Sequence, residues 1–234
     1  MIDGSFDRSK SLLGEAAMAR LAKGHVIIFG VGGVGSWCAE ALIRTGLGRL
    51  TMVDDDKVAP SNLNRQLPAT VETIGIAKVF ALRDRLLQIN QDAEITALEA
   101  RYTSNAVQFQ GESLCKFDCI VDAIDSVADK AHLIRSATNL NIPLFSSMGA
   151  ALRTDPTMMR ISDFPSVGGD GLARALRQRL RKDEAGTIPS FPCVHSTEPP
   201  LDIAERGSIM PVTAAFGMAL ASLVIKHFSQ PKTP

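Results

Sequence analysis

The 234-residue chain has only four cysteines and no excess of charge of either sign. Its four cysteines, Cys38, Cys115, Cys119 and Cys193, are too sparse and uneven for a disulfide framework. Cys115 and Cys119 form one C-x-x-x-C pair without a second pair, which argues against a closed four-ligand zinc site. The 25 basic and 25 acidic residues cancel, so an RNA partner would need a local basic patch.

A long apolar run is also missing. The first thirty residues mix acidic and basic side chains and show no targeting segment. The most apolar late segment, Thr213 to Phe228, has sixteen residues and contains Gly217, so we expect it to be too short to cross a bilayer. We therefore expect a buried or interface helix there, no membrane partner and a cytoplasmic protein.

Hydrophobic periodicity predicts alternating strands and helices. A continuous apolar run at 25–29 indicates a buried strand, and the helix that follows it is closed by Gly46. The pattern predicts an α/β fold with a doubly wound, Rossmann-like, mixed and mainly parallel sheet, extended by a C-terminal crossover and helix. We expect one domain over 1–234, with a nucleotide-binding core at 24–149 and a substrate and crossover extension at 150–234. Further strands are predicted at 49–53, 94–100, 118–121, 142–146 and 158–164, helices within 75–90, 126–140 and 172–182, and an exposed crossover or lid at 187–207.

A glycine-rich turn follows the first predicted strand and opens a helix. Gly30, Gly32, Gly33 and Gly35 leave room for phosphates to approach backbone N–H groups, and the helix dipole favours negative charge there. Asp54 ends the second strand, where a carboxylate can accept hydrogen bonds from ribose hydroxyls. The motif predicts nucleotide binding without distinguishing NAD from ATP, so a dehydrogenase or a non-catalytic nucleotide-binding module stays open.

Two cationic residues follow the predicted ribose-binding strand. Arg65 lies in the polar segment S-N-L-N-R-Q at 61–66, and Lys78 opens the next amphipathic helix. A nicotinamide enzyme needs no cations on a reacting phosphate, whereas adenylation or phosphoryl transfer does. The alternative is two solvated surface cations with no role.

Two carboxylates follow the strand predicted at 118–121. Asp122 and Asp125 come at the carboxyl edge, where open parallel sheets bind ligands. They could hold Mg²⁺ beside phosphates or position a substrate. The alternative is that one of them caps the helix that begins near Ser126.

Taken in order, these elements resemble the adenylating superfamily, which includes the ubiquitin-activating enzymes and the bacterial activators of the thiamine and molybdopterin sulfur carriers. The matching motifs are the glycine-rich turn, V-D-D-D at 53–56, S-N-L-N-R-Q at 61–66, I-x-K at 76–78 and V-D-A-I-D-S at 121–126. The resemblance runs from Arg8 to Phe228. It implies an adenylating domain that uses ATP and Mg²⁺ and forms a homodimer, with a sulfur-transfer protein as a further partner.

The resemblance also implies roles for individual residues. Arg65 would face the phosphates, Lys78 would contact phosphate and Asp125 would hold Mg²⁺, so these three are the predicted catalytic residues. Arg8 would be contributed by the partner subunit. The residues that we predict for nucleotide binding are Gly30, Gly32, Gly33, Gly35, Asp54, Ser61, Asn62, Arg65, Lys78, Asp122, Asp125 and Arg8.

Within that superfamily, the later part of the chain resembles the tRNA threonylcarbamoyladenosine dehydratases. The resemblance rests on D-P-T at 155–157, the basic segment 172–182 and S-T-E-P-P at 196–200. It implies tRNA as a partner, adenylation of the threonylcarbamoyl carboxylate and ring closure with loss of AMP. The basic segment could bind tRNA phosphates through Arg174, Arg177, Arg181 and Lys182, although a solvated amphipathic helix would have the same pattern.

A second function stays open because of Cys193, which lies two residues before His195 in the predicted crossover. A thiolate there could accept an acyl group from an adenylate. The chain would then activate the C-terminus of a ubiquitin-like sulfur carrier. Ring closure within one substrate needs no such thioester, and we assign no general base to it, His195 included.

Overall fold

The computed structural model describes residues 4–103, 114–183 and 186–230. Over these ranges the helices are α1 (Asp7–Leu13), α2 (Glu15–Lys23), α3 (Gly35–Thr45), α4 (Lys78–Leu87), α5 (Val127–Asn139), α6 (Gly171–Arg181) and α7 (Met210–Ser229). The strands are β1 (His25–Phe29), β2 (Arg49–Asp54), β3 (Glu94–Glu99), β4 (Cys119–Asp122), β5 (Leu144–Ser147), β6 (Met159–Asp163) and β7 (Pro192–Ser196).

These strands form one mixed sheet in the order β3-β2-β1-β4-β5-β7-β6. Every neighbouring pair is parallel except β6 and β7, which are antiparallel at one edge. The chain leaves β1 towards β2 and β3 on one side and later returns to β4 on the other. The predicted doubly wound, mainly parallel α/β fold is thereby confirmed.

Successive residues of β1 pack against opposite layers of helices because side chains alternate along a strand. Val26 and Ile28 belong to one buried cluster, together with residues of α2, α3, α4 and α7. Ile27 and Phe29 belong to the other cluster, together with residues of α5 and α6. All four side chains are fully buried, as the continuous apolar run at 25–29 predicts.

Helix α7 is longer than the sequence indicates. It has 20 residues, so by length and hydropathy it could cross a membrane. Our expectation that this segment is too short to do so was wrong. Its side chains Val212, Phe216, Leu220 and Val224 are nevertheless fully buried within the fold. A Cβ on Gly217 would lie against the backbone at the start of α3, which shows how closely the two helices pack. We interpret α7 as a core helix.

The prediction of an exposed crossover over 187–207 was wrong for the middle of that segment. Residues 192–196 form β7, which pairs with β5 and with β6 inside the sheet. Pro, Ser and Thr in this segment indicated a loop, but the short run Cys193 and Val194 is fully buried. Residues 197–209 after β7 are the part that crosses the surface towards α7.

Candidate active site

A cavity of about 550 Å³ opens at the carboxyl ends of the parallel strands. It lies between β1 and β4, where the chain changes from adding strands on one side of β1 to adding them on the other. Doubly wound sheets bind ligands at this position. One half is formed by the connections that follow β1, β2 and β4. The other half is formed by the segment after β5, the first turn of α6 and the crossover before α7.

The glycine-rich turn after β1 requires residues without side chains. Gly30 has φ +86, and a Cβ on it would lie 2.7 Å from the Ala123 carbonyl oxygen of the neighbouring connection. A Cβ on Gly35 would collide with the Gly30 carbonyl oxygen. Gly30, Gly32 and Gly33 line the cavity, whereas Gly35 begins α3 behind it.

Asp54 holds the turn in place from the end of β2. Its Oδ2 accepts a hydrogen bond from the Val31 N–H at 2.8 Å, and its Oδ1 accepts one from the Asp56 N–H at 2.9 Å. Burial raises the pKa of Asp54, while Lys78 and the two backbone N–H groups act in the opposite direction. Each oxygen keeps a lone pair, so the carboxylate can still accept from a ribose hydroxyl.

Lys78 is the first residue of α4 and lines the cavity together with Asp54. Its Nζ lies 2.6 Å from Asp56 Oδ2. The lysine side chain is 6% exposed, whereas that of Asp56 is 67% exposed. Because the Asp56 carboxylate is largely exposed, it can turn to solvent and leave its place beside Lys78 to a phosphate group that enters the cavity.

Arg65 is held by the turn that precedes it. Asn62 is buried, and its carbonyl oxygen accepts from the Arg65 N–H at 3.1 Å. The Arg65 side chain donates from Nη1 to the Ser61 carbonyl at 2.8 Å and to Asn64 Oδ1 at 2.9 Å. The Arg65 backbone carbonyl accepts a hydrogen bond from the Trp37 indole. Asn62 and Arg65 line the cavity, whereas Ser61 is exposed and lies outside its lining. Ser61 contributes through its carbonyl, by orienting Arg65.

The two carboxylates after β4 have different surroundings. Asp125 is exposed and lines the cavity, and no hydrogen-bond or ion-pair partner is found for its carboxylate within residues 4–103, 114–183 and 186–230. Asp122 is fully buried, with Oδ2 bonded to Ser146 Oγ and to Lys130 Nζ, each at 2.8 Å. Its Oδ1 accepts from the Ile124 N–H at 3.1 Å. Asp122 therefore lies beneath the cavity wall, and we replace its expected nucleotide contact with a role in shaping the turn.

Lys130 is a site residue that the sequence analysis missed. It is fully buried, and besides pairing with Asp122 it donates to the Ile124 carbonyl at 3.0 Å. It thereby fixes the backbone immediately before Asp125. A lysine one turn into an amphipathic helix looks like a surface residue in a sequence, so no pattern distinguished it.

Arg8 does not reach the cavity of its own chain. It is exposed on α1, which packs near the connection from α3 to β2: a Cβ on Gly46 would lie 3.6 Å from the Phe6 ring. That connection lies at the amino end of β2, about 20 Å along the strand from Asp54. A contact between Arg8 and a nucleotide would need a second copy of the chain.

Several other residues that line the cavity were not predicted. Arg101 follows β3, and its Nη2 lies 3.1 Å from Asp129 Oδ2. Arg206 is exposed on the crossover. The position of Arg101 follows from the rule that ligands bind at carboxyl ends of parallel strands, whereas that of Arg206 depends on how the crossover folds back. Further polar residues on the lining that were not predicted as site residues are Asp55, Asp56, Gln66, Tyr102, Ser126, Asp129, Ser147, Ser208 and Thr213.

Cys193 and His195 lie in β7 and not in an active-site loop. The Cys193 Sγ donates to the Ser162 carbonyl at 3.4 Å, and burial raises the pKa of the thiol to about 12. The His195 Nε2 lies 3.0 Å from Ser162 Oγ, and burial lowers the pKa of the imidazole. Neither residue is part of the cavity lining. A thioester on Cys193 would require this strand to leave the sheet.

Helix α6 begins at the second half of the cavity. Leu172 in its first turn lines the cavity, and Ala173, Leu176 and Leu180 are fully buried. The segment 171–182 carries five cationic residues and no acidic one. We name Arg174, Arg177, Arg181 and Lys182 the basic ridge; over the part of the chain that the structure describes, none of them is in an ion pair.

Comparisons with known proteins agree with this geometry. A model of the ThiF family matches residues 6–234. The tRNA threonylcarbamoyladenosine dehydratase of Bacillus subtilis (strain 168) is 39% identical over 201 residues, which cover 86% of this chain and 77% of that protein. The enzyme of the same name from Escherichia coli (strain K12) is 38% identical over 200 residues, covering 82% of this chain and 73% of that protein. The crystal structure of the E. coli tRNA N6-threonylcarbamoyladenosine dehydratase TcdA in complex with ATP has a TM-score of 0.90 at 36% identity, covering 96% of this chain and 93% of that chain.

Proposed function

Because this chain belongs to the ThiF family, we propose that it is an ATP-dependent tRNA threonylcarbamoyladenosine dehydratase. One observation carries the proposal: the glycine turn, Asp54, Arg65, Lys78 and Asp125 meet at one cavity at the centre of the sheet. A hydride-transferring enzyme needs no cations on a reacting phosphate, because no bond to phosphorus changes in its reaction, whereas adenylation does need them. The similarity to an ATP complex over nearly the whole chain supports ATP as the nucleotide.

In the first step, an oxygen of the substrate carboxylate forms a bond to the α-phosphorus of ATP. The bond between that phosphorus and the pyrophosphate oxygen breaks, and the products are an acyl-adenylate and pyrophosphate. Arg65 and Lys78 stabilise the negative charge that develops on the phosphate oxygens in the transition state. Electrostatic stabilisation of this kind is usually the largest single contribution to catalysis. Gly30 to Gly33 and Asp54 orient the nucleotide for in-line attack.

Mg²⁺ fits the carboxylate oxygens of this site, since it prefers hard oxygen ligands and usually binds through one or two carboxylates and the substrate phosphates. Asp125 suits this role, because its exposed carboxylate faces the cavity. Oxygens of Asp54, Asp55 and Asp56 also lie within 4.8 Å of one another. In that triad, however, Asp54 already accepts two backbone N–H groups and Asp56 pairs with Lys78. The bound ion would neutralise charge on the phosphates.

In the second step, a neighbouring nitrogen or oxygen of the same substrate attacks the activated carbonyl carbon. The bond to AMP breaks, AMP leaves with one former carboxylate oxygen, and the substrate has lost one water overall. No protein nucleophile is needed, which agrees with the burial of Cys193.

We assign the tRNA to the basic ridge. Its side chains lie on one side of α6, whose first turn lines the cavity, so bound RNA would lie next to the site of reaction. About four neutralised phosphates of a single-stranded loop predict a log–log salt slope of about −3. The affinity should then fall about 50-fold between about 50 and 200 mM salt.

We further propose a cytoplasmic homodimer. The exposed position of Arg8, away from its own cavity, supports a contribution to the cavity of a second copy. Cys38, Cys115, Cys119 and Cys193 are free, which is consistent with a reducing compartment. We assign no residue to the sulfur-transfer protein that the resemblance implies.

The test compares three candidate substrates under identical ATP and magnesium concentrations. They are tRNA that carries threonylcarbamoyladenosine, the same tRNA without the modification, and a ubiquitin-like sulfur carrier ending in Gly-Gly. We expect AMP, pyrophosphate and a nucleoside lighter by one water with the modified tRNA alone. Pyrophosphate exchange with the sulfur carrier and none with the modified tRNA would contradict the proposal.

A further inference from the structure

One buried carboxylate joins the basic helix to the cavity wall. Asp170 precedes α6, and its side chain is completely shielded from solvent. Its Oδ1 accepts from the Ala173 N–H at 2.9 Å, which caps the helix. Its Oδ2 accepts from the Gly149 N–H at 3.1 Å, on the segment after β5 that lines the cavity. The same side chain therefore joins two elements by hydrogen bonds, in addition to the apolar packing of Met148 in the same buried cluster as residues of α6.

Arg153 ties the same segment to the crossover. Its Nη2 lies 3.5 Å from Asp170 Oδ2, and the arginine side chain is only 4% exposed. Its Nη1 donates to the carbonyl oxygens of Gly149 and Ala151 at 3.0 and 3.2 Å, and its Nε donates to the Glu198 carbonyl at 3.1 Å. The cavity segment 147–153 is thus fixed both to α6 and to the start of the crossover.

The backbone of this segment is strained as well as anchored. Leu152 has φ +63, which is unfavourable for a residue with a large side chain. Its N–H donates to the Gly207 carbonyl at 2.9 Å, and its own carbonyl accepts from the Leu201 N–H at 2.8 Å. Such conformations persist only where the surrounding contacts impose them, which indicates that the position of this segment matters.

Helix capping alone does not explain a buried aspartate at this position. Serine, threonine or asparagine caps a helix about as well. Burying a carboxylate is costly unless hydrogen bonds and a cation compensate it. For Asp170 that compensation comes from the cavity side, through Gly149 and Arg153.

We propose that Asp170 is a positioning residue that holds the basic ridge at a fixed position relative to the half of the cavity that contains Gly149. The inference rests on the proposed function, since it requires RNA on α6 and reaction in the cavity. From Leu172 on the lining to Arg181 on the ridge, the helix rises by about 14 Å. The hydrogen bonds of Asp170 set the position of this helix, and of RNA bound along it, relative to Gly149. Asp170 acts through these neighbours and does not touch the reacting atoms.

Two variants separate this role from helix capping. Asp170→Ser keeps an acceptor for the Ala173 N–H but is too short to reach Gly149 as well. Asp170→Asn keeps the size of the side chain but has one acceptor oxygen in place of two. As a matched control, Asp155→Ser alters another capping aspartate, which is half-buried, accepts from the Thr157 N–H at 2.8 Å and is not part of the cavity lining.

The readouts are the ATP affinity, the affinity for modified tRNA at fixed salt, and kcat for AMP formation. We expect both Asp170 variants to keep both affinities within about twofold while kcat falls about 10- to 100-fold, because misplacement by about 1 Å has an effect of this size. The Gly149 amide should exchange with deuterium faster in both variants, while the Ala173 amide stays protected. Asp155→Ser should match the wild type in every measurement.

If both Asp170 variants had the kcat of the wild type, this inference would be wrong, while the proposed function would be unaffected. A parallel loss of ATP affinity and kcat would overturn it too, because it would show general support of the cavity and no positioning. If the wild-type enzyme itself formed no AMP with modified tRNA, the proposed function would fail and this inference with it. The wild-type measurement therefore distinguishes the two failures.

Discussion

Replacing Lys130 by methionine should destabilise the fold far more than an ordinary lysine substitution. Lys130 and Asp122 are both fully inaccessible to solvent, and their Nζ and Oδ2 atoms lie 2.8 Å apart. Methionine has a similar length but leaves the carboxylate without a cation and the Ile124 carbonyl without its donor. Breaking a buried ion pair from one side costs about 3–5 kcal/mol, because an uncompensated charge remains.

The assay is unfolding in urea, with the free energy of unfolding obtained by linear extrapolation. At a slope of about 3 kcal/mol per molar urea, the midpoint should fall by about 1–1.7 M. Lys226→Met, at an exposed position near the end of α7, serves as the control and should change the midpoint little. Adding Asp122→Asn to Lys130→Met removes the uncompensated charge and should recover part of the loss.

Two results would refute this reasoning. One is a fall in midpoint for Lys130→Met no larger than that for Lys226→Met. The other is a double variant less stable than Lys130→Met alone, since removal of the remaining charge would then bring no benefit.

Three further experiments test separate parts of the site. Arg65→Ala should abolish pyrophosphate release while leaving the fold intact by circular dichroism, with a loss of about 10²–10³-fold or more; full activity would remove Arg65 from the mechanism. Cys193→Ala should keep AMP formation and no acyl-enzyme should be trapped in the wild type, because burial raises the pKa of this thiol to about 12; an inactive variant with a native fold would favour thioester chemistry. Burial raises the pKa of Asp54 above its ordinary value of 3.8, so on acidification this carboxylate becomes protonated before the pH reaches 3.8. Its protonation should weaken ATP binding, which calorimetry at decreasing pH would measure. In Asp54→Asn this pH dependence should disappear, and its persistence would assign it to another group.

The core of the fold was predictable from the sequence because local patterns determine it. The apolar run at 25–29, the glycines after it and the apolar spacing of α4 each specify an element without reference to distant residues. Helix α4 begins at Lys78, as expected from the sequence, because Gly75 and Ile76 before it bond to Val58 in a separate turn. Helices α1 and α2 were not assigned, although Gly14 and Gly24 delimit the second of them.

The lining of the candidate site was predictable from the sequence mainly in the half formed by the connections after β1, β2 and β4. Residues such as Asp54 and Lys78 follow directly from strand ends and helix starts, so their order in the chain indicates their position. The roles of Lys130, Arg153 and Asp170 depend on contacts with segments more than five residues away in the chain, and no local pattern shows these. The burial of β7 likewise depends on pairing with β5 and β6, which overrides a loop-like composition.

In the proposed reaction, a substrate carboxylate attacks the α-phosphorus of ATP. The decisive experiment uses modified tRNA whose threonylcarbamoyl carboxylate carries a heavy isotope of oxygen, followed by mass spectrometry of the products. One heavy oxygen should appear in AMP and none in pyrophosphate. Heavy oxygen in inorganic phosphate together with ADP would show attack at the terminal phosphate, and unlabelled AMP would show hydrolysis by water; either result would contradict the account.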